Sequence, residues 1–152
     1  MTTILQLSDI HLFSTKDQVY NASNPYTNLK KVIDHLIKDN VNFDFLVLSG
    51  DLSNDFTTQS YDLLKSEVDR LQKKYYIIPG NHDDLRVMSV IFNIGNKKDS
   101  FDYSIKKDDW SFYFLDSTVP PSIHGEILDS QIEALKTFLI NNSNLNIVIF
   151  MH

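Results

Sequence analysis

The chain is 152 residues long, which is room for one ordinary domain and little more. Hydrophobic residues make up 42% and charged residues 22%, excluding a disordered or collagen-like chain, and no apolar stretch approaches the ~18 residues of a membrane span. Lys plus Arg is 14 against 20 for Asp plus Glu, so the net charge of -6 argues against a broad basic face for duplex nucleic acid, yet it permits an anionic substrate where metal ions supply positive charge.

In chain order, the N-terminus enters a strand-like run, TTILQLSD, without a basic-then-apolar signal segment, which points to a cytoplasmic domain. The apolar run Ile4 to Leu7 reads as a first strand. A helix follows from about Thr27 to Asp39, with Leu29, Val32, Ile33, Leu36 and Ile37 on one face. Phe43 to Leu48 reads as a strand buried on both faces, the signature of a parallel sheet. Tyr61, Leu64, Val68 and Leu71 mark a second helix, capped by Thr57 or Thr58. Tyr75 to Ile78 is a third buried strand, and Leu85 to Phe92 a third helix opened by Asp83 or Asp84.

Phe101 to Ile105 and Trp110 to Leu115, joined across KKDD, read as an antiparallel hairpin that begins a second sheet. A fourth helix covers about Ser130 to Ile140, with capping-box spacing between Ser130 and Glu133 and with Ile132, Leu135 and Leu139 facing inward. Ile147 to Met151 is a last buried strand. Strand–helix alternation makes the fold α/β. Tyr75, Tyr76, Trp110, Phe112, Tyr113 and Phe114 read as core rather than as a base-stacking platform.

The chemistry-bearing residues stand where these strands end. Ile4–Leu7 runs into Ser8-Asp9-Ile10-His11, the second strand into Gly50-Asp51-Leu52-Ser53-Asn54-Asp55, the third into Pro79-Gly80-Asn81-His82-Asp83, and the last into His152. Open α/β sheets bind ligands outside the carboxyl ends of their strands, so one site can collect all four. In extended backbone Asp9 and His11, two apart, point to the same side. With no cysteine, there is neither a disulfide framework nor a thiolate ligand or nucleophile, and this oxygen-and-nitrogen set suits Mn, Fe or Zn. Asp51 has two oxygens with which to bridge two metals about 3.5–4 Å apart, the clamp used for in-line displacement at phosphorus. Each motif alone also serves as a turn or a helix cap; their combination favours a metal site.

The motifs DIH, GDLSND and GNHD resemble those of the calcineurin-like metallophosphoesterases. LQLSDIHLF, FLDST and HGEILDSQIEAL are similar to segments of the bacterial class III cyclic-nucleotide phosphodiesterases. The resemblance spans the whole chain and implies a single domain over residues 1–152 with an αββα sandwich fold. It implies that Asp9 and His11 ligate one divalent metal, that Asp51 bridges two, and that Asn81 and His152 ligate the second. His82 would stabilise or protonate the leaving oxygen, with a metal-bridging hydroxide as nucleophile. The implied substrate is a small phosphoester, most closely a 3',5'-cyclic nucleotide such as cAMP.

The family's Gly-His-x-His motif does not occur in these residues. The expectation that follows is a C-terminally truncated chain with an incomplete sandwich, a sheet edge open to self-association and a loosely held His152. An inactive fragment, a non-catalytic scaffold or binding module of the same fold, and a phosphomonoesterase are the alternatives. His124 reads either as a loop residue near the site or as a structural one, and His35 as a surface histidine. Asp55 and Asp83 read as caps or as supports for a ligating histidine, and Asp116, Ser117 and Thr118 as turn residues.

Overall fold

Parallel pairing of three short strands builds the first sheet of this computed structural model, which describes residues 1–94 and 102–152. β1 (Ile4–Leu7), β2 (Phe45–Ser49) and β3 (Tyr75–Ile78) lie in the order β1-β2-β3. The register pairs Leu5 with Leu46 and Val47 with Tyr76. Every residue of β2 is buried, as a central strand covered on both faces requires. Side chains alternate along it: Leu46 and Leu48 pack towards the helices, whereas Phe45 and Val47 pack towards a second sheet.

Three helices cover the outer face of this sheet. α1 (Pro25–Lys38) begins two residues earlier than its apolar pattern suggests, because Pro25 fits the first turn and Asn24 accepts the Thr27 N–H at 2.7 Å. Such a cap contributes ~1 kcal/mol. Leu29, Ile33 and Leu36 are buried, whereas Val32 and Ile37 lie 41% and 45% exposed, so the inward stripe is narrower than expected. α2 (Thr58–Val68), followed by a 3-10 turn at Asp69–Leu71, is capped by Thr57. α3 (Leu85–Ile91) is capped by Asp84. Between α1 and α2, Glu67 receives the Tyr26 hydroxyl at 2.8 Å and pairs with Arg70, which also reaches Asp34.

The second sheet has the order β4-β5-β6, with β4 (Tyr103–Lys107) antiparallel to β5 (Trp110–Phe114) and β5 parallel to β6 (Asn146–Phe150). The expected hairpin forms; the start proposed for its first strand, Phe101, lies outside the described residues. Phe112 and Phe114 meet Phe45, Val47 and Ile78 between the sheets. Trp110, expected in the core, is 36% exposed at the hairpin end, and β6 is only partly buried rather than covered on both faces.

α4 (Asp129–Asn141) packs on the far side of this sheet, where Phe138 and Leu135 meet Tyr113, Leu115 and Ile147. The layers therefore run helices, sheet, sheet, helix: an αββα sandwich. Two details of α4 depart from expectation. Gln131, not Glu133, turns back, its side-chain oxygen accepting the Leu128 N–H at 2.9 Å. Ile132 and Leu139 are exposed, while Gln131 and Phe138 face inward, Gln131 because its amide donates to Asp102 and to the Asp116 carbonyl.

Candidate metal centre

Strand pairing continues past the ends of β1 and β2 and carries two motifs side by side. The Asp9 N–H donates to the Gly50 carbonyl at 3.1 Å, that of His11 to the Asp51 carbonyl at 3.0 Å, and that of Leu12 to the Leu52 carbonyl at 3.0 Å. Asp9, His11 and Asp51 all have left-handed backbone, with φ of 56°, 51° and 51°. The extended conformation expected for Asp9 and His11 is therefore incorrect: neighbouring-loop hydrogen bonds hold each in a conformation that costs a non-glycine residue ~1–2 kcal/mol. Strain of this kind collects at functional sites.

Asp51 occupies the middle of the cluster and is buried. Its Oδ2 lies 3.6 Å from His11 Nε2, its Oδ1 lies 3.3 Å from His152 Nε2, and Oδ1 also accepts the His82 backbone N–H at 2.9 Å. Ligand atoms of Asp9, Asp51 and His152 all fall within 4.8 Å of one another. This crowding requires glycine at two positions. A Cβ on Gly50, whose φ is +87°, would stand 2.5 Å from the His152 ring, and one on Gly80 would stand 2.2 Å from Asp51 Oδ1.

His152, expected to be loosely held, makes two hydrogen bonds to other segments. Its Nδ1 lies 2.9 Å from the Ser49 carbonyl of the first sheet, and its own carbonyl accepts the Ser117 hydroxyl at 2.6 Å. Ser117, read as a turn residue, thus holds the backbone of a candidate ligand. Neither contact was legible in the sequence, since one uses a main-chain oxygen and the other spans 35 residues.

The GNHD segment is fixed by Asp83. Its buried carboxylate accepts N–H groups of Leu52, Ser53 and Gly80 at 2.8–3.3 Å and the Tyr61 hydroxyl at 3.0 Å, stitching the Asp51 loop to the Asn81 loop. Burial pushes this carboxyl up to about 7, against the downward pull of those donors. Burial, helped by the Asp83 charge, raises the Tyr61 phenol too. Asn81 is half-buried, next to the Gly80 that abuts Asp51, and lines an adjoining recess. The His82 ring meets His11 edge-on, with centroids 5.1 Å apart, and lies nearly parallel to Phe56 at 6.1 Å.

Of the remaining candidates, Asp55 accepts the Ser14 N–H and the Thr57 hydroxyl, a loop and cap role. Asp116 accepts the N–H and hydroxyl of Thr118, as in a turn. His35 is exposed and sits 3.3 Å from Asp39, and His124 is exposed. Phe56 and Tyr20, neither a candidate by sequence, flank the centre; the Tyr20 ring lies 5.3 Å from that of His11.

The donor set fits divalent cations. The Ser49 carbonyl can only accept, so His152 Nδ1 must donate to it. His152 Nε2 then faces an Asp51 carboxylate oxygen at 3.3 Å, a contact that a cation held between the two atoms would satisfy. His11 Nδ1 and His82 Nδ1 are buried without a hydrogen-bond partner among the described residues, while His11 Nε2 is the nitrogen that faces Asp51. Asp9, His11, Asp51, Asn81 and His152 could hold such ions, with hard oxygens and imidazole nitrogens matching Mn, Fe or Zn.

Residues 2–149 match the calcineurin-like phosphoesterase family. The chain is 29% identical to a probable cyclic nucleotide phosphodiesterase of Xenorhabdus bovienii, over 98% of this chain and 62% of that protein. It is 31% identical to a 3',5'-cyclic-nucleotide phosphodiesterase of a Nostoc species, over 88% and 52% respectively. It spans about half to three fifths of the length of these relatives. Among solved structures, a dimetal phosphatase from Danio rerio superimposes with a TM-score of 0.77 at 13% identity, covering 99% of this chain and 69% of that one. A yellow lupin purple acid phosphatase gives 0.68 at 14% identity, covering 99% of this chain and 30% of that one. These two likenesses show the shared fold. Among the described residues no helix is long and apolar enough to cross a membrane.

Proposed function

The chain belongs to the calcineurin-like phosphoesterase family, and on that premise we propose that it carries the metal centre of a phosphodiesterase acting on 3',5'-cyclic nucleotides. The observation that carries this reading is the position of Asp51, whose two oxygens face two different histidines, His11 and His152. A carboxylate so placed could serve two cations, which Asp9, His11, Asn81 and His152 would help to hold; Asp9 and His152 both offer a ligand atom within 4.8 Å of one on Asp51. Mn, Fe or Zn held there would supply Lewis acidity towards the phosphoryl oxygens and lower the pKa of water.

The chain's own residues supply the rest. The Ser49 carbonyl orients the His152 ring, and the Asp83 carboxylate keeps the Asn81–His82 loop against the Asp51 loop. His82, anchored by its backbone to Asp51, would hold or deliver a proton at the leaving oxygen. The names of the relatives favour phosphodiesters over the monoesters of a phosphatase.

The test is metal content by mass spectrometry, combined with hydrolysis of cAMP, bis-p-nitrophenyl phosphate and p-nitrophenyl phosphate with added Mn. Two bound metals with diester turnover support the reading. Faster monoester turnover would favour a phosphatase. Neither metal nor turnover would favour a binding module of the same fold.

A further inference from the structure

We propose that Phe56 determines substrate specificity: its ring walls a recess that takes the planar base of a nucleotide phosphoester. The recess encloses about 430 Å³, within the range of small-ligand pockets. Most of its exposed wall is apolar, with Phe56, Leu85 and Val119 among the lining residues, while Asn81, Asp84 and Arg86 add polar and charged groups. An apolar wall with polar groups beside it suits a flat heteroaromatic ring, which is apolar on its faces and hydrogen-bonds at its edges.

Phe56 is an unusual residue to find here. It is 45% exposed, and its backbone φ of 60° is one that bulky side chains avoid. The Ser53 hydroxyl accepts its N–H at 2.8 Å and is itself tied to Ser60 at 2.6 Å, so the strained turn is braced from beneath. No core packing explains an aromatic ring held outwards in this way. What it does adjoin is the His82 ring, nearly parallel at 6.1 Å.

The side of the centre follows from the chemistry. In an in-line displacement the attacking and leaving oxygens lie on opposite sides of phosphorus, and in a 3',5'-cyclic phosphate the ribose is joined through the leaving oxygen and one further ester oxygen, so sugar and base lie away from the attacking face. His82 marks that side on the reading given above, on which this inference rests, and the Phe56 ring stands next to His82. A second recess of about 400 Å³ opens beside Asp9, His11 and Tyr20, and His82 is not among its lining residues. It is the rival location for the base.

Calorimetric titration with AMP, ribose 5-phosphate and adenosine, with Mn present, separates the possibilities. AMP and ribose 5-phosphate differ only in the base. AMP is expected to bind the wild-type protein at least tenfold more tightly than ribose 5-phosphate. Phe56→Ala should remove most of that preference while leaving ribose 5-phosphate binding unchanged, and Tyr20→Ala should preserve it. Equal binding of AMP and ribose 5-phosphate would overturn the recess and leave the phosphoesterase reading standing. So would loss of the preference in Tyr20→Ala with Phe56→Ala unaffected. Adenosine binding that depends on Phe56, without any phosphate binding, would overturn the phosphoesterase reading and keep the recess. Binding of none of the three overturns both.

Discussion

The carboxylate of Asp51 accepts the backbone N–H of His82 through Oδ1, while its other oxygen faces His11. One side chain therefore holds the third strand's loop by a hydrogen bond and stands 3.6 Å from a histidine of the first strand's loop. This double role makes Asp51→Asn informative. The amide oxygen of Asn can still accept the His82 N–H, so the fold should persist, but the anionic charge between the histidines is lost. Metal content should fall at both positions together, and activity below about a tenth of wild type. Retention of both metals with higher activity would disprove bridging by Asp51.

His82→Ala should separate catalysis from metal binding. The Asp51 contact uses the His82 main chain, which survives the substitution. Turnover should drop ~10²–10⁴-fold, as for loss of a general acid. Metal stoichiometry by mass spectrometry should stay at the wild-type value; loss of a metal would place His82 among the ligands.

Gly50→Ala probes the same centre from behind. A Cβ there would lie 2.5 Å from the His152 ring in a backbone with φ of +87°, so the ring must move away from Asp51. The affinity for one cation should fall ~10–100-fold, the scale seen when a ligand's support is disturbed. Titration with Mn measures it, and His152→Ala should reproduce the loss. Wild-type affinity in Gly50→Ala would mean that the imidazole is not a ligand in the position it occupies.

Asp83→Asn should destabilise without removing any candidate ligand. Both carboxylate oxygens accept backbone N–H groups, so one donor of the new amide must face a donor. The cost of a buried unsatisfied group is ~1–3 kcal/mol. Thermal unfolding should show a drop of about 2–4 °C for each kcal/mol in a domain of this size. An unchanged melting temperature would mean that the stitch between the loops carries no net stability.

Much of this molecule was legible in its residues. Runs such as Phe45 to Leu48 announce a doubly buried strand through composition alone, and DIH, GDLSND and GNHD stand at strand ends where a parallel sheet gathers ligands. The sequence by itself thus determined the α/β class and the residue types available to a metal centre, and its family resemblance implied the αββα layering. Local geometry was another matter. The left-handed turns at Asp9 and His11 arise because their N–H groups pair with Gly50 and Asp51, partners about 40 residues away. Side-chain burial on α1 and α4 depended on which neighbours arrived: Gln131 turned inward to reach Asp102 and Asp116, and Val32 stayed outside. Only the tertiary structure placed His152 over Gly50, pinned its Nδ1 to the Ser49 carbonyl and stood Phe56 beside His82. Those relationships rest on main-chain carbonyls and close approaches between distant segments, which no periodicity in the chain encodes.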